Sequence, residues 1–124
     1  MDWTLEVIAI PVADIDVSKE FYETKVGFHL DHDVRPNETM RVVQLTPPGS
    51  GCSIVLGLVD SPPGSVKGLQ LVVNDIQAAR SELLSRGVDV SEVTELGPGD
   101  GGSFIFFSDP DGNGWAVQEL KSRN

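Results

Sequence analysis

The chain is poor in cysteine, in basic residues and in long apolar runs. Cys52 is its single cysteine, so no internal disulfide can form; this fits a reducing compartment and excludes a disulfide-stapled scaffold. Nine Lys and Arg stand against nineteen Asp and Glu, a formal net charge of −10 at pH 7. A phosphate backbone or an anionic lipid surface repels such a chain, so neither nucleic acid nor membrane is expected as a partner. No apolar run approaches the roughly 18 residues of a membrane span. Met1-Asp2-Trp3-Thr4 also lacks the basic start of a secretory leader. A cytoplasmic location is the expectation. Histidine is scarce as well, with His29 and His32 the only two.

What the sequence does have is an ordinary globular composition over 124 residues, 40% hydrophobic and 23% charged. That is enough for one domain with a core of its own. The chain also repeats itself at about half its length. Ile10-Pro11-Val12-Ala13-Asp14-Ile15 can be laid on Leu71-Val72-Val73-Asn74-Asp75-Ile76, and Gly27-Phe28-His29-Leu30 answers Gly87-Val88-Asp89-Val90. Identity is sparse, but both halves run apolar strand, Asp, helix, Gly, strand. Two copies of one supersecondary unit are implied.

The elements follow from local chemistry. Val7–Val12 and Leu69–Val73 are short β-branched-rich runs that read as strands. Asp14 or Asp16, and Asp75, stand where a carboxylate caps a helix N-terminus. Val17, Phe21 and Val26 are expected on one face of the first helix, and Ile76, Ala79 and Leu83 on one face of the second. Gly27 and Gly87 end the two helices. Further strands are expected at Phe28–Asp33, Arg41–Leu45 and Ser53–Val59, then at Val88–Val93, Ser103–Ser108 and Trp115–Leu120. Residues 1–60 form the first βαβββ module, 61–67 a linker and 68–124 the second module. Within the second, 96–102 reads as a loose glycine-rich flap over a pocket mouth.

Val12-Ala13-Asp14, Phe21-Tyr22, Val26-Gly27-Phe28 and Val73-Asn74-Asp75 occur in that order, followed by Phe107-Ser108-Asp109-Pro110-Asp111-Gly112-Asn113. With this set the chain resembles the vicinal oxygen chelate superfamily, which includes glyoxalase I, bleomycin-resistance proteins and extradiol dioxygenases. The resemblance implies an α+β fold of two tandem βαβββ modules forming a curled mixed sheet around a cup. It also implies a homodimer. In catalytic members of that family one divalent metal sits in the cup, held by side chains on the first and fourth strands of each module.

Counted from the matching motifs, those four positions fall on Val7, Gly68, Ala116 and Val55, the last becoming Gly57 if the register slips by two. None has a side-chain lone pair to give a metal. By strand alternation the cup is lined by Val7, Ala9, Pro11, Gln44, Ser53, Val55, Gln70, Ala116 and Gln118. Phe104 and Phe106 join them in the strand phase assumed here. His29 and His32, three apart on a strand, are expected on opposite faces. Glu119 is expected on the helix side, unless a bulge at Asn113-Gly114 turns it inward. Cys52 reads as structural. Asp109-x-Asp111-x-Asn113-Gly114 imitates the start of a calcium loop but has Leu120 where that loop needs a carboxylate, so it reads as a turn.

These residues suit an organic molecule better than an ion, and no metal or other cofactor is expected. The expected function is metal-independent binding of a small apolar or aromatic molecule, a sequestration mode that the likeness to bleomycin-resistance proteins implies. The alternative is a glyoxalase-like lyase or dioxygenase in the same pocket. It would use a divalent metal or a general acid or base, with His29, His32 and Glu119 the weak candidates. A regulatory module without a ligand is a third possibility, disfavoured by Gln44, Gln70 and Gln118.

Overall fold

A computed structural model of the chain describes residues 1–96 and 102–121. The first half runs β1 (Val7–Ile10), α1 (Ile15–Glu20), β2 (His29–Asn37), β3 (Met40–Thr46) and β4 (Ser53–Leu56). The second runs β5 (Leu69–Val73), α2 (Ile76–Ser85), β6 (Thr94–Glu95), β7 (Ser103–Ser108) and β8 (Gly114–Glu119). Two four-stranded mixed sheets result, ordered β1-β4-β3-β2 and β5-β8-β7-β6. β1 lies parallel to β4 and β5 parallel to β8, and the other pairs are antiparallel. The βαβββ unit therefore occurs twice, and the fold is α+β as the repeat implied.

Both helices start where the sequence placed a carboxylate. Asp14 accepts from the Asp16 and Val17 amides, and Asp75 from the Ala78 amide. After Glu20 the first helix widens into a π-helical turn over Phe21–Val26, closed by Gly27 at φ +95°. That widening moves the buried face: Ser18, Phe21 and Tyr22 are buried, while Val17 is 51% exposed rather than packed. In α2 the expected face holds, with Ile76 and Leu83 buried.

Alternate residues of both sheets face one shared core, including Val43 and Leu45, Ile54 and Leu56, Ile105 and Phe107, and Trp115 and Val117. The seam between modules is aromatic. Tyr22 stacks on Phe28 at 5.7 Å and meets Trp115 edge-on at 5.8 Å, and Phe21 contacts Phe107 at 6.1 Å. Beneath it lies a buried polar network. Tyr22 Oη donates to Asp109 Oδ2 at 2.7 Å and accepts from Trp115 Nε1 at 2.9 Å. Asn113 Nδ2 donates to the Asp109 carboxylate and to the Pro11 carbonyl. The Asp109–Asn113 segment is thus a turn whose carboxylate binds local amides, with Gly112 at φ +99°. The linker crosses that turn so closely that a Cβ on Gly64 would lie 2.1 Å from the Asp111 carbonyl oxygen.

Several element ends differ from expectation, each for a local reason. β1 stops at Ile10, where Pro11 has no amide to donate. β4 stops at Leu56 because Gly57 and Leu58 both take positive φ. β2 runs on to Asn37, where the Asn37 side chain accepts from Thr39 and closes the hairpin. No strand forms at 88–93. Val88 and Val90 are buried, but Arg80 Nε takes the Ser91 carbonyl at 2.8 Å and the Ser91 hydroxyl takes the Phe106 amide. Ladder pairing resumes only at Thr94–Glu95. Most of the expected 96–102 flap lies outside the described residues.

Candidate functional site

The sheet faces turned away from the shared core carry the candidate site. In the second module that face presents Gln70 and Val72 of β5, Ala116 and Gln118 of β8, and Phe104 and Phe106 of β7. The register places Ala116 opposite both Gln70 and Phe106, and Gln118 opposite Phe104. The Phe104 and Phe106 rings are parallel within 6°, with centroids 6.1 Å apart, and Phe106 is 41% exposed. Phe106, its ring stacked on half-buried Phe104, thus offers exposed aromatic surface on this face. Beside it the Gln70 Nε2 donates to Gln118 Oε1 at 2.6 Å, which fixes both amides. An open depression of 590 Å³ adjoins this site, lined by Phe106 and Ala116 with Gly68, Asp89, Ser91 and Ser108, but not by Phe104, Gln70 or Gln118.

The first module's face combines Val7 and Ala9 of β1, Ser53 and Val55 of β4, and Gln44 and Thr46 of β3. Val7 stands opposite Ser53, Ala9 opposite Val55, and Gln44 opposite Val55. Ser53 is buried under its neighbours, with its Oγ 2.6 Å from Thr46 Oγ1. Pro11 is fully buried and its carbonyl is held by Asn113, so it offers a ligand no surface.

The two histidines are brought together rather than apart. A bulge in β2 between Leu30 and His32 leaves His29 opposite Thr46 and His32 opposite Gln44, so both share the open face with those residues. The extra residue is Asp31, which the sequence reasoning did not single out. Its carboxylate accepts from the Thr46 hydroxyl and, at 3.4 Å, from Gln44 Nε2. His29 Nε2 lies 3.8 Å from Asp31 Oδ1. The Thr46 hydroxyl bond holds the Asp31 carboxyl below its usual range, burial opposes this, and the Gln44 amide adds to the lowering. A bulge has no reliable sequence mark, which is why this cluster was missed.

Glu119 does not join either face. It pairs regularly with Val73, and its Oε1 accepts from the Ile76 amide at the start of α2 while Lys121 Nζ stands 3.7 Å away. Cys52 points its thiol at the Ser53 carbonyl at 3.6 Å.

The family model of the Glyoxalase/Bleomycin resistance protein/Dioxygenase superfamily matches residues 4–117. The chain belongs to this superfamily. Among solved structures it is similar to TnmS3, an antibiotic binding protein from Streptomyces sp. CB03234, at 34% identity and a TM-score of 0.83; the match covers 96% of this chain and 97% of that one. A glyoxalase/bleomycin resistance protein from the same organism is 35% identical with a TM-score of 0.79, covering 94% and 100%. A superfamily member from Sphaerobacter thermophilus DSM 20745 is 30% identical with a TM-score of 0.82, covering 95% and 98%. Among curated proteins none matches.

The residues at the four positions that the resemblance implies for a divalent metal, with Gly57 as the alternative to Val55, do not fit one. Val7, Val55, Gly68 and Ala116 supply no imidazole, carboxylate or thiolate. Among the described residues no three His, Cys, Asp or Glu side chains converge as a metal site would require. Nor is any described helix long and apolar enough to cross a membrane.

Proposed function

We propose that this protein is a metal-independent binding protein that sequesters a small, largely apolar or aromatic molecule. The observation that carries this reading is the parallel Phe104–Phe106 pair beside the fixed Gln70–Gln118 amides, on a face with no metal-ligating side chain at the family positions. Apolar and aromatic walls with a few oriented amides are what a drug-sized ligand requires. The similarity to an antibiotic binding protein supports the same class of ligand.

The reading includes a homodimer in a reducing, cytoplasmic setting. β1 and β5 are each hydrogen-bonded along one edge in their sheets, and the two open faces share no sheet. A second copy bringing the first module of one chain against the second module of the other would cover those edges and close the cup.

The alternative enzyme would draw on His29 beside Asp31 as an acid–base pair. Titration with 9-anthracenemethanol, a neutral flat aromatic probe, separates the two. Sequestration predicts saturable binding, a thermal shift and probe recovered unchanged. Gln70→Ala or Gln118→Ala should weaken binding by about fivefold to tenfold, the loss of one oriented hydrogen bond. Unchanged affinity in both variants would sink the site assignment, and chemical conversion of the probe would favour the enzyme.

A further inference from the structure

The hydrogen-bond polarity around Asp31 identifies the kind of group that the first module's face would accept. Thr46 has one hydroxyl proton, and it goes to Asp31. The 2.6 Å contact between Ser53 and Thr46 must then have Ser53 as donor. Gln44 turns its amide nitrogen to the same carboxylate oxygen, Oδ2, which directs its carbonyl end away. Thr46 and Gln44 thus each direct a donor at Asp31, and Ser53 gives its hydroxyl proton to Thr46. His29 Nε2 stands 3.8 Å from Asp31 Oδ1, beyond hydrogen-bond reach, and His32 also acts on this carboxylate through charge. The Asp31 side chain is 21% exposed, so the carboxylate is partly shielded yet still reached from the face. A carboxylate in that state is satisfied best by a charged donor.

We propose that the first module recognises a protonated amine on the ligand, with Asp31 as its ion-pairing partner. The assignment rests on the reading of the open faces as a small-molecule site and adds the chemical class of the ligand: a flat apolar body carrying a basic nitrogen. The chain's net charge of −10 acts in the same direction at long range.

Three anthracene probes that differ in one substituent test it by fluorescence titration at pH 7: 9-(aminomethyl)anthracene, 9-anthracenemethanol and 9-anthracenecarboxylate. The amine should bind about tenfold more tightly than the alcohol, as for a charge-assisted bond, and the carboxylate least of all. Asp31→Asn keeps the shape and should bring amine and alcohol within about twofold of each other. If that variant does not fold, salt decides on the native protein, because an ion-pair preference shrinks as salt rises. Equal binding of amine and alcohol to the native protein overturns the proposal while leaving the binding function standing. So does a preference that survives Asp31→Asn, or tighter binding of the carboxylate. Failure of all three probes to bind overturns the binding function together with it.

Discussion

Tyr22 shows how much one side chain can carry in a core of this size. Its ring packs on Phe21, Phe28 and Trp115, and its hydroxyl both donates to Asp109 and accepts from Trp115. Burial raises the Tyr22 hydroxyl above its usual range and the neighbouring Asp109 carboxylate raises it further, so it stays a donor. Tyr22→Phe keeps the packing but strips Asp109 of one donor and Trp115 of its acceptor. The expected cost is on the order of 2 kcal/mol in urea unfolding, and a loss near zero would mean that water replaces the hydroxyl. The sequence pointed to Tyr22 only as part of a family motif. Its partners lie 87 and 93 residues away, and no local pattern links them. Asp31 was hidden for a different reason, since period-two alternation assigns each strand residue a face and a bulge resets that count.

At the level of elements, the helix-to-sheet contact in the first module is held by charge. Arg41 bonds Asp33 through both Nε and Nη2 and reaches Asp16 at 2.8 Å, while Lys19 Nζ meets Asp33 at 2.8 Å. The Arg41 guanidinium, with Lys19, holds the Asp33 carboxyl well below its ordinary range. A folded value below the unfolded one means that the contribution is complete above the unfolded pKa of about 4 and is lost as pH falls below it. Asp33→Asn should therefore lower stability at pH 7, and the gap to the native protein should narrow as pH falls toward 3. A gap independent of pH would show that the carboxylate charge is not what matters. The strands themselves were largely legible, because β-branched runs bounded by Pro and Gly mark them well. The missing strand at 88–93 was not legible: its apolar alternation is genuine, but Arg80 and Ser91 capture the backbone groups a ladder would need. The hairpin through Pro36 was missed because proline argues against a strand unless it sits at an edge; β2 is an edge strand.

For the whole molecule, the half-length repeat gave the architecture, and the apolar periodicity gave the shared core. What the repeat could not give is how the modules sit on each other, because that rests on contacts such as Phe21–Phe107 and Tyr22–Trp115 across the seam. That packing turns the two candidate faces away from a common core. The proposed lining residues Val7, Ala9, Gln44, Val55, Gln70, Phe104, Phe106, Ala116 and Gln118 follow from strand parity alone, and the pairing register puts them on one face in each module. The central claim is that these faces bind an organic molecule without a metal. The direct measurement is metal analysis of the native protein after equilibrium dialysis against zinc, nickel, manganese and iron(II), followed by probe titration with and without chelator. The account predicts no stoichiometric ion and the same affinity for 9-anthracenemethanol in both titrations. A tightly held ion at each cup, or binding abolished by the chelator, would contradict it.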